Sequence, residues 1–137
     1  MKASQASIYR VTERLLEHSF GIVDRTPKNE AYRVMGERLL KNLYDSLDFI
    51  VLAFQSEDGQ GKLNCINGLV LSMTSVKMTY RMLFRISEHQ ANAKGKSPII
   101  TKNQYSQAID FILSISKQAG AWAKKQNFIE SQKRSSI

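Results

Sequence analysis

Cysteine, proline and long apolar runs are scarce in this chain of 137 residues, and each scarcity excludes a class of protein. Cys65 is the only cysteine, so the chain cannot form an internal disulfide, and no cysteine–histidine cluster has the spacing of a zinc site. The longest uninterrupted apolar stretch, Phe49 to Phe54, is far too short to span a bilayer, and the first residues have no apolar run typical of a secretory signal. We therefore expect a cytoplasmic protein with no membrane partner.

Recognisable catalytic motifs are also absent. The chain has no nucleophile elbow, no phosphate-binding glycine loop and no Glu-x-x-His pair of the kind that a di-iron bundle requires. His18 directly follows Glu17, which is the wrong spacing for such a pair. The acidic pairs Glu13 with Glu17 and Asp45 with Asp48 are interpreted as solvated faces that pair with nearby cations. The sequence therefore predicts a protein that is not an enzyme and that holds no metal or cofactor.

The two prolines and a few glycines divide the chain into four segments in which apolar residues recur at spacings of three, four and seven. These spacings are typical of amphipathic helices. Thr26-Pro27 is interpreted as an N-cap followed by the first helical residue, and Thr101 with Gln104 has the form of a capping box. The predicted helices run from about Ser4 to Arg25, Pro27 to Gln55, Lys62 to His89 and Lys102 to Phe128.

Four long helices with mostly short connections favour an all-α fold, an antiparallel up-down four-helix bundle over residues 1–130, followed by a polar C-terminal tail over residues 131–137. The end of the second helix, Leu47 to Phe54, is apolar on more than one face. This pattern indicates either deeper burial or a subunit interface, and we favour the interface. Glycines inside the predicted helices indicate either a close helix crossing or subunit contact, or weakly constrained positions. They are Gly21, Gly36, Gly68 and Gly120.

Acidic residues are nearly absent from the middle of the chain. From Gly59 to Ile109 the only carboxylate is Glu88, against seven Lys and Arg. Residues 1–58 carry eight cations and nine acids, and residues 110–137 carry five and two. A net charge of +8 concentrated in this way attracts phosphate backbones. The alternatives are an acidic protein partner, a membrane surface, or a basic protein with no such partner.

A row of three cations, Lys77, Arg81 and Arg85, lies on one flank of the third helix, because these residues are four apart. No Asp or Glu stands four residues from any of them, so we predict that they bind phosphate; the alternative is a solvated face. Tyr80 and Phe84 beside them are interpreted as core residues, with base stacking as the alternative. A second cluster lies late in the fourth helix, where the helix dipole also favours cations. The predicted nucleic-acid-binding residues are Lys77, Arg81, Arg85, Lys117, Lys124 and Lys125.

Four segments carry a resemblance to a known family. They are Thr26-Pro27 with the helix ending Asp48-Phe49-Ile50-Val51-Leu52-Ala53, Tyr80-Arg81-Met82-Leu83-Phe84-Arg85, Ile100-Thr101-Lys102-Asn103-Gln104, and Ala119-Gly120-Ala121-Trp122. Together they resemble the accessory variability determinant proteins of diversity-generating retroelements. These proteins belong to the four-helix-bundle family that also includes the proteins encoded in ribosomal RNA intervening sequences.

The resemblance, which covers roughly Tyr9 to Gln126, implies a homopentamer with a basic surface. It implies binding to the element's reverse transcriptase and to DNA or RNA, in support of mutagenic copying of a template repeat into a variable gene. Arg81 and Arg85 match the basic positions of the family's third helix, whereas residues 131–137 have no counterpart. The alternative is a structural or protein-interaction oligomer with no direct nucleic-acid role.

Overall fold

The structure, a computed structural model, describes residues 2–95 and 97–135, in which four long helices and no strand occur. Each helix packs against the next one along the chain, and α1 also packs against α4, which closes the bundle. The predicted all-α four-helix bundle is therefore confirmed. After a one-turn 3-10 helix, Ala3–Gln5, the helices are α1 (Ser7–Asp24), α2 (Glu30–Gln55), α3 (Gly59–Lys94) and α4 (Lys102–Ser135).

The starts of α3 and α4 follow from their capping residues. The Asp58 carboxylate accepts the backbone N–H groups of Gln60 and Gly61, so α3 begins at Gly59, three residues earlier than predicted. The predicted capping box of α4 is confirmed. The Thr101 hydroxyl accepts the N–H of Gln104 at 3.2 Å, and the Gln104 side chain accepts the N–H of Thr101 at 2.9 Å.

The predicted start of α2 at Thr26-Pro27 is wrong. The N-cap is Asn29, whose side chain accepts the N–H of Tyr32 at 3.1 Å. The Thr26 hydroxyl instead donates to the Val23 carbonyl at 2.7 Å, at the end of α1. Because asparagine is the stronger N-cap and the Thr26 side chain is already bonded, Pro27 lies in the connection between the two helices.

Helices α3 and α4 both run further than predicted. Helix α3 continues five residues past His89 to Lys94, because the first residue that stops it is Gly95, which has φ +64°. Helix α4 continues past Phe128 to Ser135, so residues 131–135 of the expected polar tail are helical and exposed. Residues 136 and 137 of that tail lie outside the described residues.

The core is formed by one face of every helix and includes two buried tyrosines in polar contacts: Tyr32, whose hydroxyl donates to the Gln90 side chain at 2.7 Å, and Tyr80. The Tyr80 side chain is fully buried and hydrogen-bonds to Ser19 of α1, whose hydroxyl donates to the Leu15 carbonyl at 2.7 Å. Burial raises the pKa of Tyr80 to about 12. Other fully buried side chains of the same core include Leu15, Leu39, Leu43, Ile50, Leu69, Met73, Ile112 and Ile115.

The apolar end of α2 is explained mainly by burial within the chain. Ile50 and Ala53 are fully buried, and the ring of Phe54 lies 5.1 Å from the ring of Trp122 in a tilted contact. Phe49 packs toward Gly68 of α3, and Leu52 alone of this group is half-exposed. The subunit interface favoured for this segment from the sequence therefore loses its support, and Trp122 is a packing residue.

The helix-interior glycines separate into two kinds. A Cβ on Gly68 would lie 2.7 Å from the ring of Phe49, and one on Gly36 would lie 2.9 Å from Val23, so both glycines allow helices to approach closely. No atom lies within 4 Å of the Cβ position of Gly21 or Gly120. The close helix contact expected from the sequence is therefore confirmed for Gly36 and Gly68, whereas Gly21 and Gly120 contact no other helix of the chain.

Replacing Gly68 with alanine is expected to destabilise the protein by about 1 kcal/mol, because overpacking against Phe49 outweighs the better helix propensity of alanine. The matched control Gly120→Ala meets no neighbour and should stabilise the protein by about 0.5–1 kcal/mol. Urea unfolding of both variants measures the difference. Equal stabilisation by the two substitutions would show that Gly68 is not a close-contact position.

Candidate nucleic-acid interface

All six predicted binding residues are exposed, and none forms an ion pair with a carboxylate among residues 2–95 and 97–135. The ion pairs of this part of the chain lie elsewhere. Arg33 contacts Glu30 and Glu37 on α2, Lys41 contacts Asp45 at 2.8 Å, and Lys133 contacts Glu130 at 3.5 Å. The six predicted cations are thus available to an anionic ligand.

The row of Lys77, Arg81 and Arg85 occupies the solvent side of α3, while Tyr80 and Leu83 between them are buried. Phe84 stacks on Tyr105 of α4, with ring centroids 4.4 Å apart and planes within 5°. Tyr80 and Phe84 therefore face the interior, as interpreted from the sequence, and neither is free to stack on a base. The row offers charge without an aromatic surface.

Two contacts fix the register between α3 and α4. Phe84 stacks on Tyr105, and Gly59 lies so close to the Glu130 carboxylate that a Cβ there would collide with it. Gly59 precedes Phe84 by 25 residues, and Tyr105 precedes Glu130 by the same number. The two helices therefore run antiparallel and in register over this whole length.

This register shows which predicted cations lie together. Lys117 is level with Ser72 of α3. It therefore lies about 7 Å further along the bundle axis than Lys77, on the side away from Arg85. Lys124 follows Lys117 by seven residues, or two turns, and lies on the same outward face of α4. The cations consequently form a stripe about 30 Å long, from Arg85 to the level of Lys124, rather than one compact cluster.

Lys125 departs from this stripe. It is turned about 100° around α4 from Lys124, toward the flank that carries Phe111, whose ring lies 6.0 Å from the ring of His18 of α1. We call the other five predicted residues the basic stripe: Lys77, Arg81, Arg85, Lys117 and Lys124. Two exposed acids, Glu88 on α3 and Asp110 on α4, interrupt the surface around it.

The excess positive charge of the chain lies on one pair of neighbouring helices, α3 and α4. Residues 59–137, which include α3 and α4, carry twelve Lys and Arg against three Asp and Glu, whereas residues 1–58 carry eight against nine. Because α3 and α4 are neighbours, their excess lies along one half of the bundle. The other half is electrically balanced and holds the ion pairs of Arg33 and Lys41.

An exposed apolar groove runs beside the basic stripe, between α2 and α3. Met78 and Met82 of α3 are 64% and 49% exposed, and Val34 of α2 is 49% exposed. Together with Met35 and Arg38 they line a shallow cavity of about 290 Å³. A groove of this kind is typical of a protein contact surface.

Sequence reasoning missed three exposed residues near the end of α4: Phe128, Lys133 and Arg134. They were missed because the helix was predicted to end at Phe128. The signal was present in the spacing, since Phe128 follows Lys124 by four residues and thus lies on the polar face of α4 rather than on its buried face.

The described residues contain no group of three or more His, Cys, Asp or Glu that could hold a metal ion. None of the helices in this part of the chain is long and apolar enough to cross a membrane. Comparison of the chain with family models, with curated proteins and with solved structures found no match.

Proposed function

We propose that this chain is a non-enzymatic accessory protein that binds nucleic acid, and a reverse transcriptase, through the basic surface of α3 and α4. The observation that carries the nucleic-acid part is the basic stripe, whose five cations are exposed and form no ion pair with any described residue. Charge spread over about 30 Å of rigid helix follows a phosphate backbone and does not read bases.

The reverse transcriptase and the retroelement are supported only by the resemblance of four segments of the sequence. On this proposal the protein works in the cytoplasm and assists mutagenic copying of a template repeat. The genomic neighbourhood provides a direct test, because a reverse transcriptase gene and a near-duplicate repeat should lie beside the gene. A pull-down with that enzyme should then recover the protein, and a neighbourhood without either feature contradicts the assignment.

A salt titration tests the nucleic-acid part. Fluorescence anisotropy with duplex DNA and RNA of unrelated sequences should give similar affinities that fall steeply with salt. Each phosphate neutralised on duplex DNA contributes about −0.9 to the slope of log affinity against log salt, so the five-residue stripe predicts a slope of about −3 to −5. Failure to bind at low salt, or a slope near zero, would remove nucleic acid from the function.

A second candidate function, a structural or protein-interaction oligomer, is favoured by the groove between α2 and α3. The two functions are compatible if this groove joins copies of the chain, and the homopentamer implied by the resemblance is the assembly we propose. A ring would repeat the basic stripe, so that weak phosphate contacts on several subunits would reinforce one another.

Charges placed in this groove should dissociate the assembly. Light scattering of the unaltered protein should give five times the chain mass of 15.6 kDa, and Met78→Glu with Met82→Glu should give the single-chain mass, because buried carboxylates strongly disfavour an apolar interface. The control Leu113→Glu alters a 53% exposed residue of α4 and should leave the assembly intact. An unaltered protein that is already a monomer would refute the pentamer.

A further inference from the structure

Phe128 differs from the other exposed aromatic residues of the described chain in its surroundings. Its side chain is 64% exposed on α4. The helical neighbours that precede it by four and three residues are Lys124 and Lys125, and those that follow by three and four are Ser131 and Gln132. An exposed aromatic ring thus lies beside two cations, with no acid at any of these four positions.

Phe20 and Tyr44 provide the comparison, since they are 46% and 49% exposed. The helical neighbours of Phe20 include the acids Glu17 and Asp24, three residues before it and four after it. Tyr44 is followed four residues later by Asp48, and Lys41, three residues before it, is already paired with Asp45 at 2.8 Å. Negative charge beside these two rings would repel a phosphate backbone, whereas the surroundings of Phe128 attract one.

Phe128 also lies where a ligand has open access. Gly59, the first residue of α3, lies level with Glu130, so α4 residues 131–135 extend beyond the start of α3. Arg134 on this extension is exposed, and so is Lys133, which lies 3.5 Å from the Glu130 carboxylate. The ring therefore lies at the end of the basic stripe, next to Lys124, and further cations continue past it.

We propose that Phe128 stacks on an unpaired base of single-stranded nucleic acid while Lys124 and Lys125 bind the adjoining phosphates. Every base has a π-face, so such stacking requires no particular sequence, but the bases of a duplex are stacked on one another and offer no free face along its length. The inference rests on the proposed nucleic-acid function and extends it, because the stripe alone gives no preference between strands and duplexes.

The test compares an oligothymidylate with a blunt duplex of equal phosphate number. Phe128→Ala should weaken binding of the single strand by about 5- to 100-fold, the range expected for one stacked base, and change duplex binding by less than about twofold. The matched control Phe20→Ala removes an aromatic ring of similar exposure beside acids and should change neither. Phe128→Tyr should retain the single-strand affinity.

Phe128→Leu separates stacking from simple apolar contact, because leucine keeps the apolar bulk and lacks the π-face. It should behave like Phe128→Ala, and full affinity of the leucine variant would overturn the proposal. An equal loss on strand and duplex would also overturn it, as would dissociation of the assembly by Phe128→Ala, which would make the ring a contact between copies. If the unaltered protein bound neither ligand, the proposed function itself would fail, whereas strong duplex binding with no effect at Phe128 would reject this inference alone.

Discussion

Reversing two charges of the basic stripe, Arg81→Glu with Arg85→Glu, is expected to weaken binding to unrelated DNA and RNA sequences by about 10- to 100-fold near 0.1 M salt. Each arginine supplies a charge-assisted contact to phosphate, and each glutamate adds repulsion. The salt slope should flatten by about two, because two fewer counterions are released. Both side chains are exposed, so the fold should persist, as far-UV circular dichroism can check.

The matched control is Arg33→Glu with Lys41→Glu on α2, which changes the net charge by the same amount. Both residues already contact carboxylates of their own helix, so they offer little to a ligand, and binding should fall far less. Size-exclusion chromatography distinguishes a loss of phosphate contacts from a second explanation, the loss of a subunit interface. If Arg81 and Arg85 hold a subunit interface, the assembly should dissociate first, and unaltered binding by an intact assembly would remove the stripe from the function.

Local sequence chemistry was sufficient for the bundle and for one helix start, but it misplaced another. Thr101 and Gln104 bond reciprocally as predicted, because a capping box satisfies two backbone N–H groups within four residues. Thr26 had the right side chain and a following proline, yet Asn29 three residues later caps α2. Which of two competent caps is used depends on where α1 ends, and the Thr26 hydroxyl is bonded there.

Exposure of the predicted cations could be read from helical spacing, but their arrangement could not. The spacing places Lys77, Arg81 and Arg85 on one flank, and all three are exposed. Their relation to Lys117 and Lys124 depends on the register of α3 against α4, which the contacts of Phe84 with Tyr105 and of Gly59 with Glu130 determine. Those contacts join residues distant in the chain, and no local pattern specifies them.

The packing partner of the apolar end of α2 likewise could not be predicted from local sequence. A hydrophobic residue on a second face of a helix indicates that it is buried against a partner. The sequence does not show whether that partner is another helix of the chain or another subunit. Phe54 is covered by Trp122, and Phe49 packs into the space left by Gly68, so the chain itself supplies the cover. The exposed methionines Met78 and Met82 instead lie on the solvent side of α3, and only the α2–α3 packing shows that Val34 lies beside them.

Replacing Tyr80 with phenylalanine should make the bundle less stable near neutral pH and more stable at alkaline pH. Near pH 7 the variant should be about 1 kcal/mol less stable, because it loses the hydrogen bond to Ser19, whose hydroxyl still donates to the Leu15 carbonyl. Burial raises the pKa of Tyr80 to about 12 in the folded state, against 10.0 for the free side chain. Between these two values the unfolded chain loses the proton and the folded chain keeps it.

That difference makes the free energy of unfolding fall as the pH rises above about 10, by about 1.4 kcal/mol per pH unit until the folded tyrosine also ionises near pH 12. Phenylalanine does not ionise, so Tyr80→Phe escapes this loss and should become the more stable protein between about pH 10 and 11. Urea unfolding of both proteins at equal concentration from pH 7 to 11 measures the crossing, since the other titrating groups are common to the two chains. The control Tyr44→Phe alters a half-exposed ring without removing a buried hydroxyl. Parallel curves for Tyr80→Phe would mean that the Tyr80 hydroxyl reaches water when the bundle is folded.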